Sequence, residues 1–190
     1  LLAALSLTAC AAGAGIAVNS LTAPSIHSVS TPGILVDDMH LAAGSCHVKE
    51  IDQAKGLVLP DRSCSPGATD PTVTQENLKA TICRAGYTAT VRPSASVTNP
   101  AKTASLKAYG LPYTPTTEYD HVIPLELGGA TATSNLWPEP NYDGAAGTTN
   151  PKDDVENVLN RAVCSGKVTL AAAQQAIASD WTTAKAKLGL

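Results

Sequence analysis

The sequence predicts an α+β domain, and three observations carry that expectation. Residues 119–139, YDHVIPLELGGATATSNLWPE, hold short apolar runs on either side of Gly128-Gly129, which reads as two strands joined by a turn. Residues 151–164, PKDDVENVLNRAVC, place Val155, Val158, Leu159, Ala162 and Val163 at helical spacing. Residues 46–64, CHVKEIDQAKGLVLPDRSC, read as two short strands around a turn, with a cysteine at each end.

The chain has 190 residues, the size of one ordinary domain with a tail. Its formal net charge of -3 excludes a globally basic nucleic-acid coat, so any contact with nucleic acid must be local. Aromatics make up 4% and Phe is absent, so Ala, Val, Leu and Ile must build the core and covalent staples gain value.

The opening run LLAALSLTACAAGAGIAV is uncharged, small and apolar, and reads as an export signal over residues 1–18. Leu7-Thr8-Ala9-Cys10 is similar to a bacterial lipoprotein signal, in which Cys10 would be lipidated; an ordinary secretory signal or an uncleaved anchor are the alternatives. The expected location is therefore outside the cytosol, either secreted or held at the cell surface as a lipoprotein.

Four cysteines remain, and an even set in an exported chain implies two disulfides. Three pairings are possible. Cys46 with Cys64 is favoured because the strands between them return together, which leaves Cys83 with Cys164 as a long closure. A four-cysteine zinc site is the alternative, but no two cysteines are close enough in sequence to form half of a metal knuckle.

Residues 19–44 are rich in Ser, Thr, Ala and Pro and read as a flexible linker, so the domain is expected over 45–190. Thr72 and Gln75 have capping-box spacing for a short helix over residues 73–83. Gly86 then releases YTATVRP as a strand, and a second short helix is expected between Asn99-Pro100 and Gly110. From Lys79 to Thr117 every charged residue is positive: Lys79, Arg84, Arg92, Lys102 and Lys107. Either a solvated face or a local anion-binding segment would account for that run.

For the helix at 151–164, Asn150 suits the N-cap, Pro151 the first position and Asp153 the third. Thr169 can cap a last helix over 169–182, docked by Leu170, Ala173, Ile177 and Trp181. Trp137, beside Pro138, reads as a packed hinge rather than a base-stacking platform.

Asp120-His121, Pro124, Gly128-Gly129 and Asn135-Leu136 together resemble the HNH, or ββα-metal, endonuclease family. More loosely, TICRAGYTATVRP, NLWPEP and KD...EN...VCSG resemble a small exported bacterial branch of it, over roughly residues 78–183. The resemblance implies a ββα-metal core at about 117–164 with flanking short helices and a disulfide-linked N-terminal hairpin. It also implies a metal-dependent hydrolase that cuts phosphodiester bonds in DNA or RNA with low sequence specificity.

By the same resemblance His121 is the general base and Asn135 braces the loop that holds it. Asp120 would bind one divalent ion, Mg2+ first, with Mn2+ or Zn2+ as alternatives. Hydrolysis of a phosphodiester needs an activated water and a cation to absorb developing charge, and a neutral imidazole suits the first task. Adjacent strand residues face opposite ways, so Asp120 and His121 can share a site only if the backbone bends between them.

The chain departs from the family pattern on the helix, which lacks the usual His. Asn150, Asp153, Asp154 or Glu156 could replace it, with Asn150 and Glu156 preferred. Asn150 is equally explained as a cap, and Glu156 with Lys152 as an i, i+4 ion pair. Arg92, Arg84 and Lys152 are candidate phosphate contacts. Glu126 fits a turn or a supporting role. A monomer is expected, with the membrane as partner only through the N-terminal segment. Two further readings stand beside the nuclease: an exported, non-catalytic binding module, and a surface lipoprotein in which Asp120-His121 is a buried structural pair.

Overall fold

The computed structural model describes residues 25–30 and 33–190. Residues 1–18, Cys10 and the start of the expected linker lie outside the described residues. The fold is α+β, with small two-stranded sheets and four α-helices among the described residues. No helix among them is long and apolar enough to cross a membrane.

Strand β1 (His27–Ser28) pairs in parallel with β4 (Ala68–Thr69), and β2 (Lys49–Asp52) pairs antiparallel with β3 (Leu57–Leu59). Strand β5 (Glu118–His121) pairs antiparallel with β6 (Leu136–Glu139), setting Asp120 opposite Trp137 and Glu118 opposite Glu139. The helices are α1 (Tyr87–Val91), α2 (Ala95–Ala108), α3 (Pro151–Cys164) and α4 (Leu170–Lys187).

The disulfides are Cys46–Cys64 and Cys83–Cys164. The first encloses the β2–β3 pair, and the second ties the segment before α1 to the end of α3. Both are compatible with an extracellular protein.

A main core holds the helices and the β2–β3 and β5–β6 pairs together, and a small second cluster of Ala68, Ala130 and Ala132 lies beside β4. The buried face of α3 presents Val155, Leu159 and Val163, and α4 adds Leu170, Ala173, Ile177 and Trp181. Trp181 Nε1 donates to the Val58 carbonyl at 2.7 Å, which joins the last helix to β3. Trp137 is fully buried and tilts against Tyr109 with ring centroids 6.3 Å apart.

Several expected elements take another form. Residues 25–30 and 33–44 do not behave as a linker: besides β1, Val36 bridges Ala132, and the Asp38 carboxylate accepts from Ser134 N at 2.8 Å and Ser134 Oγ at 2.6 Å. The folded unit thus begins upstream of Ser45. The expected helix at 73–83 reduces to turns and a single 3-10 turn, Leu78–Ala80, because Asn77 accepts from Thr74 N and donates to the Thr72 carbonyl instead.

YTATV is helical rather than extended. Helix α2 starts before Pro100 and runs through it. Proline there frees the Ser96 carbonyl, and Ser96 is exposed, so water can take that bond.

Candidate active site on strand β5

The strand carrying Asp-His ends at His121, and the chain then turns instead of continuing as a strand through Val122 and Ile123. Leu125–Leu127 and Thr133–Asn135 are short 3-10 turns, and Asn135 comes immediately before β6. The double glycine makes this loop possible. Gly128 has φ 71°, and a Cβ on Gly129 would lie 1.7 Å from the Ile123 carbonyl oxygen.

Asn135 is fully buried and locks the same loop. Its Oδ1 accepts from Ala68 N and Ile123 N, both at 3.0 Å. Its Nδ2 donates to the Ile123 and Ala130 carbonyls at 2.9 and 2.8 Å. Every hydrogen-bonding position of the amide is used, so Asn135 acts as a brace.

His121 leaves one face of β5. Its Nε2 shares a hydrogen bond with Thr131 Oγ1 at 3.2 Å. With Arg92, Thr98, Tyr119, Thr131 and Leu136 it lines a cavity of about 170 Å³. Burial lowers the His121 pKa to about 4; Asp120 opposes that shift, while Arg92 and Lys152 add to it. The imidazole is therefore neutral at pH 7 and able to accept a proton.

Tyr119 also lines a larger, mostly apolar cavity of about 580 Å³ between α2 and residues 35–42. Of the five cations between Lys79 and Thr117, Arg92 is the one that lines the His121 cavity. Arg84 lies instead over the Tyr87 ring, 6.0 Å from its centroid. Lys102 donates to the Thr117 carbonyl.

Asp120 leaves the opposite face, toward α3. Lys152 Nζ donates to Asp120 Oδ2 at 2.6 Å, to the His121 carbonyl at 2.8 Å, and to Glu156 Oε1. Lys152 is therefore buried, with its side chain 2% exposed, and not a surface contact for phosphate.

Glu139, also buried, offers two oxygens that meet no protein N–H or O–H donor. Burial and the neighbouring Asp120 carboxylate push its carboxyl well above the usual range, which favours the protonated acid. Burial works to raise Asp120 too, but Lys152 and Glu139 overcome it and hold its carboxyl below the usual value. Glu156 is pushed up to about 8 by burial, against the pull of Lys152. Glu118 is pushed up to about 7 by burial and by Asp120 and Asp153.

The residues expected to hold a metal do not fit one in this arrangement. Asp120 and Glu156 are joined through the Lys152 ammonium. Asn150 is the N-cap of α3: its Oδ1 accepts from Lys152 N at 2.8 Å, and its Nδ2 faces Glu118 Oε2 at 3.4 Å. Among the described residues no three His, Cys, Asp or Glu side chains are grouped to hold an ion. The expected base and the expected ligand also point away from each other, because no bend separates them.

Glu118, Glu139 and Thr131 were not singled out in the sequence. Alternation along β5 puts Glu118 on the Asp120 face, and register with β6 puts Glu139 there too, but that register is invisible until Asn135 is known to precede the strand. Neither family models, nor curated proteins, nor solved structures match this chain.

Proposed function

We propose that this is an exported hydrolase of phosphodiester bonds, an HNH-like endonuclease acting on DNA or RNA, with His121 as its general base. The single observation that carries the reading is the His121 cavity, where a neutral imidazole stands beside one guanidinium. Arg92 would grip a phosphate oxygen, and His121 would take a proton from the attacking water. A bound phosphodiester anion would itself raise the His121 pKa toward neutrality, improving the base once substrate is in place. The order β5, β6, α3 supports the ββα likeness, and the apolar cavity beyond Tyr119 adjoins the phosphate position as a sugar or base would.

A second reading is favoured by the opposite face. The acids expected to hold a metal close around Lys152, which suits a non-catalytic module that binds nucleic acid on an HNH-like scaffold.

The test uses the oxidised chain from Ser25 to the end, since the segment before Ser45 packs on the domain. Plasmid, single-stranded DNA and RNA are incubated with Mg2+, Mn2+ or EDTA, beside His121→Ala. Nicking that disappears in a still-folded His121→Ala supports the hydrolase. Folded proteins that bind but never cut, with every metal and substrate, support the module.

A further inference from the structure

We infer that Lys152 is the built-in cation of the β5–α3 interface, occupying the place that a divalent ion would otherwise take between Asp120 and Glu156. An ammonium carries three donors, and all three are used here, on Asp120 Oδ2, the His121 carbonyl and Glu156 Oε1. The side chain is 2% exposed, so this is an internal ion rather than a surface pair. Glu139 on β6 is buried too, but its oxygens meet no protein donor, so it is not one of the groups that hold Nζ.

The position of Lys152 in its helix argues the same way. It is the second residue of α3, two after the capping residue Asn150, where the helix dipole disfavours a cation. Buried at that end, an ammonium needs carboxylates to hold it. Their oxygens converge on Nζ, so a divalent ion could enter only by expelling the lysine. The neutralisation of Asp120 is thereby supplied by the chain itself, and the geometry between strand and helix does not depend on any added ion.

The consequence is a protein indifferent to divalent ions at this place, and a vacancy when the lysine is removed. Thermal unfolding of the oxidised chain is measured in EDTA and in excess Mg2+ or Mn2+, together with Mn2+ broadening of the Asp120 and Glu156 amide resonances. The wild type is expected to unfold at the same temperature in all three solutions and to show no selective broadening.

Lys152→Ala is expected to unfold roughly 10 °C lower or more, since it leaves the buried Asp120 carboxylate without its counter-ion. Mn2+ should restore part of that loss. Wild-type stabilisation by Mn2+ that Asp120→Asn abolishes, or selective broadening at Asp120 and Glu156, would overturn the inference even if no Lys152 variant folds. The inference does not rest on the hydrolase reading. Absence of cleavage sinks only that reading, and an ion bound beside Asp120 sinks only this one.

Discussion

Gly129 and the Ile123 carbonyl approach so closely that a Cβ on the glycine would sit 1.7 Å from the oxygen. No side chain can yield there, because the obstacle is backbone on a loop held by Asn135 and by the Gly129 N–H donating to the Pro124 carbonyl at 2.9 Å. Gly129→Ala is therefore expected to prevent native folding, read as loss of the cooperative thermal transition. Gly128→Ala should be milder, because its strain comes from φ 71° and from Val73 Cγ1 at 2.9 Å, a side chain that can shift. A folded, stable Gly129→Ala protein would refute this account of the double glycine.

Asn135→Ala removes four hydrogen bonds from a fully buried amide and strands the backbone groups of Ala68, Ile123 and Ala130. Each buried group left unpaired costs roughly 1–3 kcal/mol, so a loss of about 3 kcal/mol or more in chemical unfolding is expected. Asn135→Asp should also destabilise, because the two carbonyls lose their donors. A loss below about 1 kcal/mol in either variant would mean that water replaces the amide.

The two disulfides should contribute unequally. Cys83–Cys164 spans 81 residues and Cys46–Cys64 spans 18. Chain entropy assigns about 4–5 kcal/mol to the longer closure and about 3 kcal/mol to the shorter. Paired Ser substitutions, compared by denaturant midpoint, are expected to rank in that order. The reverse ranking would show that the β2–β3 region holds its fold mainly through its disulfide.

How much of this was legible in the sequence follows from how local each signal is. Asn150, Pro151, Asp153 and Thr169 were readable because a cap lies within one turn of the helix it starts, and α3 and α4 begin where those residues place them. The cysteine pairing was readable from the return of the strands between Cys46 and Cys64. The loop of Val122–Asn135 was not, because its apolar residues fit a hairpin equally well and only tertiary bonds to Asn135 select the turns. Residues 19–44 read as a spacer because the hold of residues 25–30 and 33–44 on the domain is made by backbone pairing and by Asp38, with no periodicity of their own. Lys152 looked like a surface cation because its i, i+4 partner Glu156 suggested an exposed pair, whereas Asp120, 32 residues upstream, draws it inside.

Arg92 should act on binding and not on the fold. It is exposed at the mouth of the His121 cavity, so Arg92→Gln is expected to leave the unfolding temperature nearly unchanged. It should weaken binding of a short single-stranded oligonucleotide and lower the dependence of log affinity on log salt by about 1, the loss of one phosphate contact. Arg84→Gln, away from the cavity, should do neither. Equal effects of the two substitutions would place the phosphate elsewhere.

The acids around Lys152 make stability depend on pH with a definite sign. Glu118 and Glu156 are raised from 4.5 to about 7 and about 8, and Glu139 is raised as well. Over that interval the folded protein keeps protons that the unfolded chain has released, so stability is lost as pH rises through 7 and 8. His121 acts in the opposite sense. Lowered from 6.5 to about 4, it costs stability as pH falls below 6.5, because the unfolded chain then takes up a proton that the folded one refuses. Three raised carboxyls outweigh one lowered imidazole, so denaturant unfolding is expected to show greater stability near pH 5 than near pH 8. Glu156→Gln removes the carboxyl raised to about 8 and should flatten the decline between pH 7 and 8, while His121→Gln should steepen the decline above pH 5. A wild-type stability that rises from pH 5 to pH 8 would mean that the acids are ionised in the folded state and that Lys152 alone does not balance them.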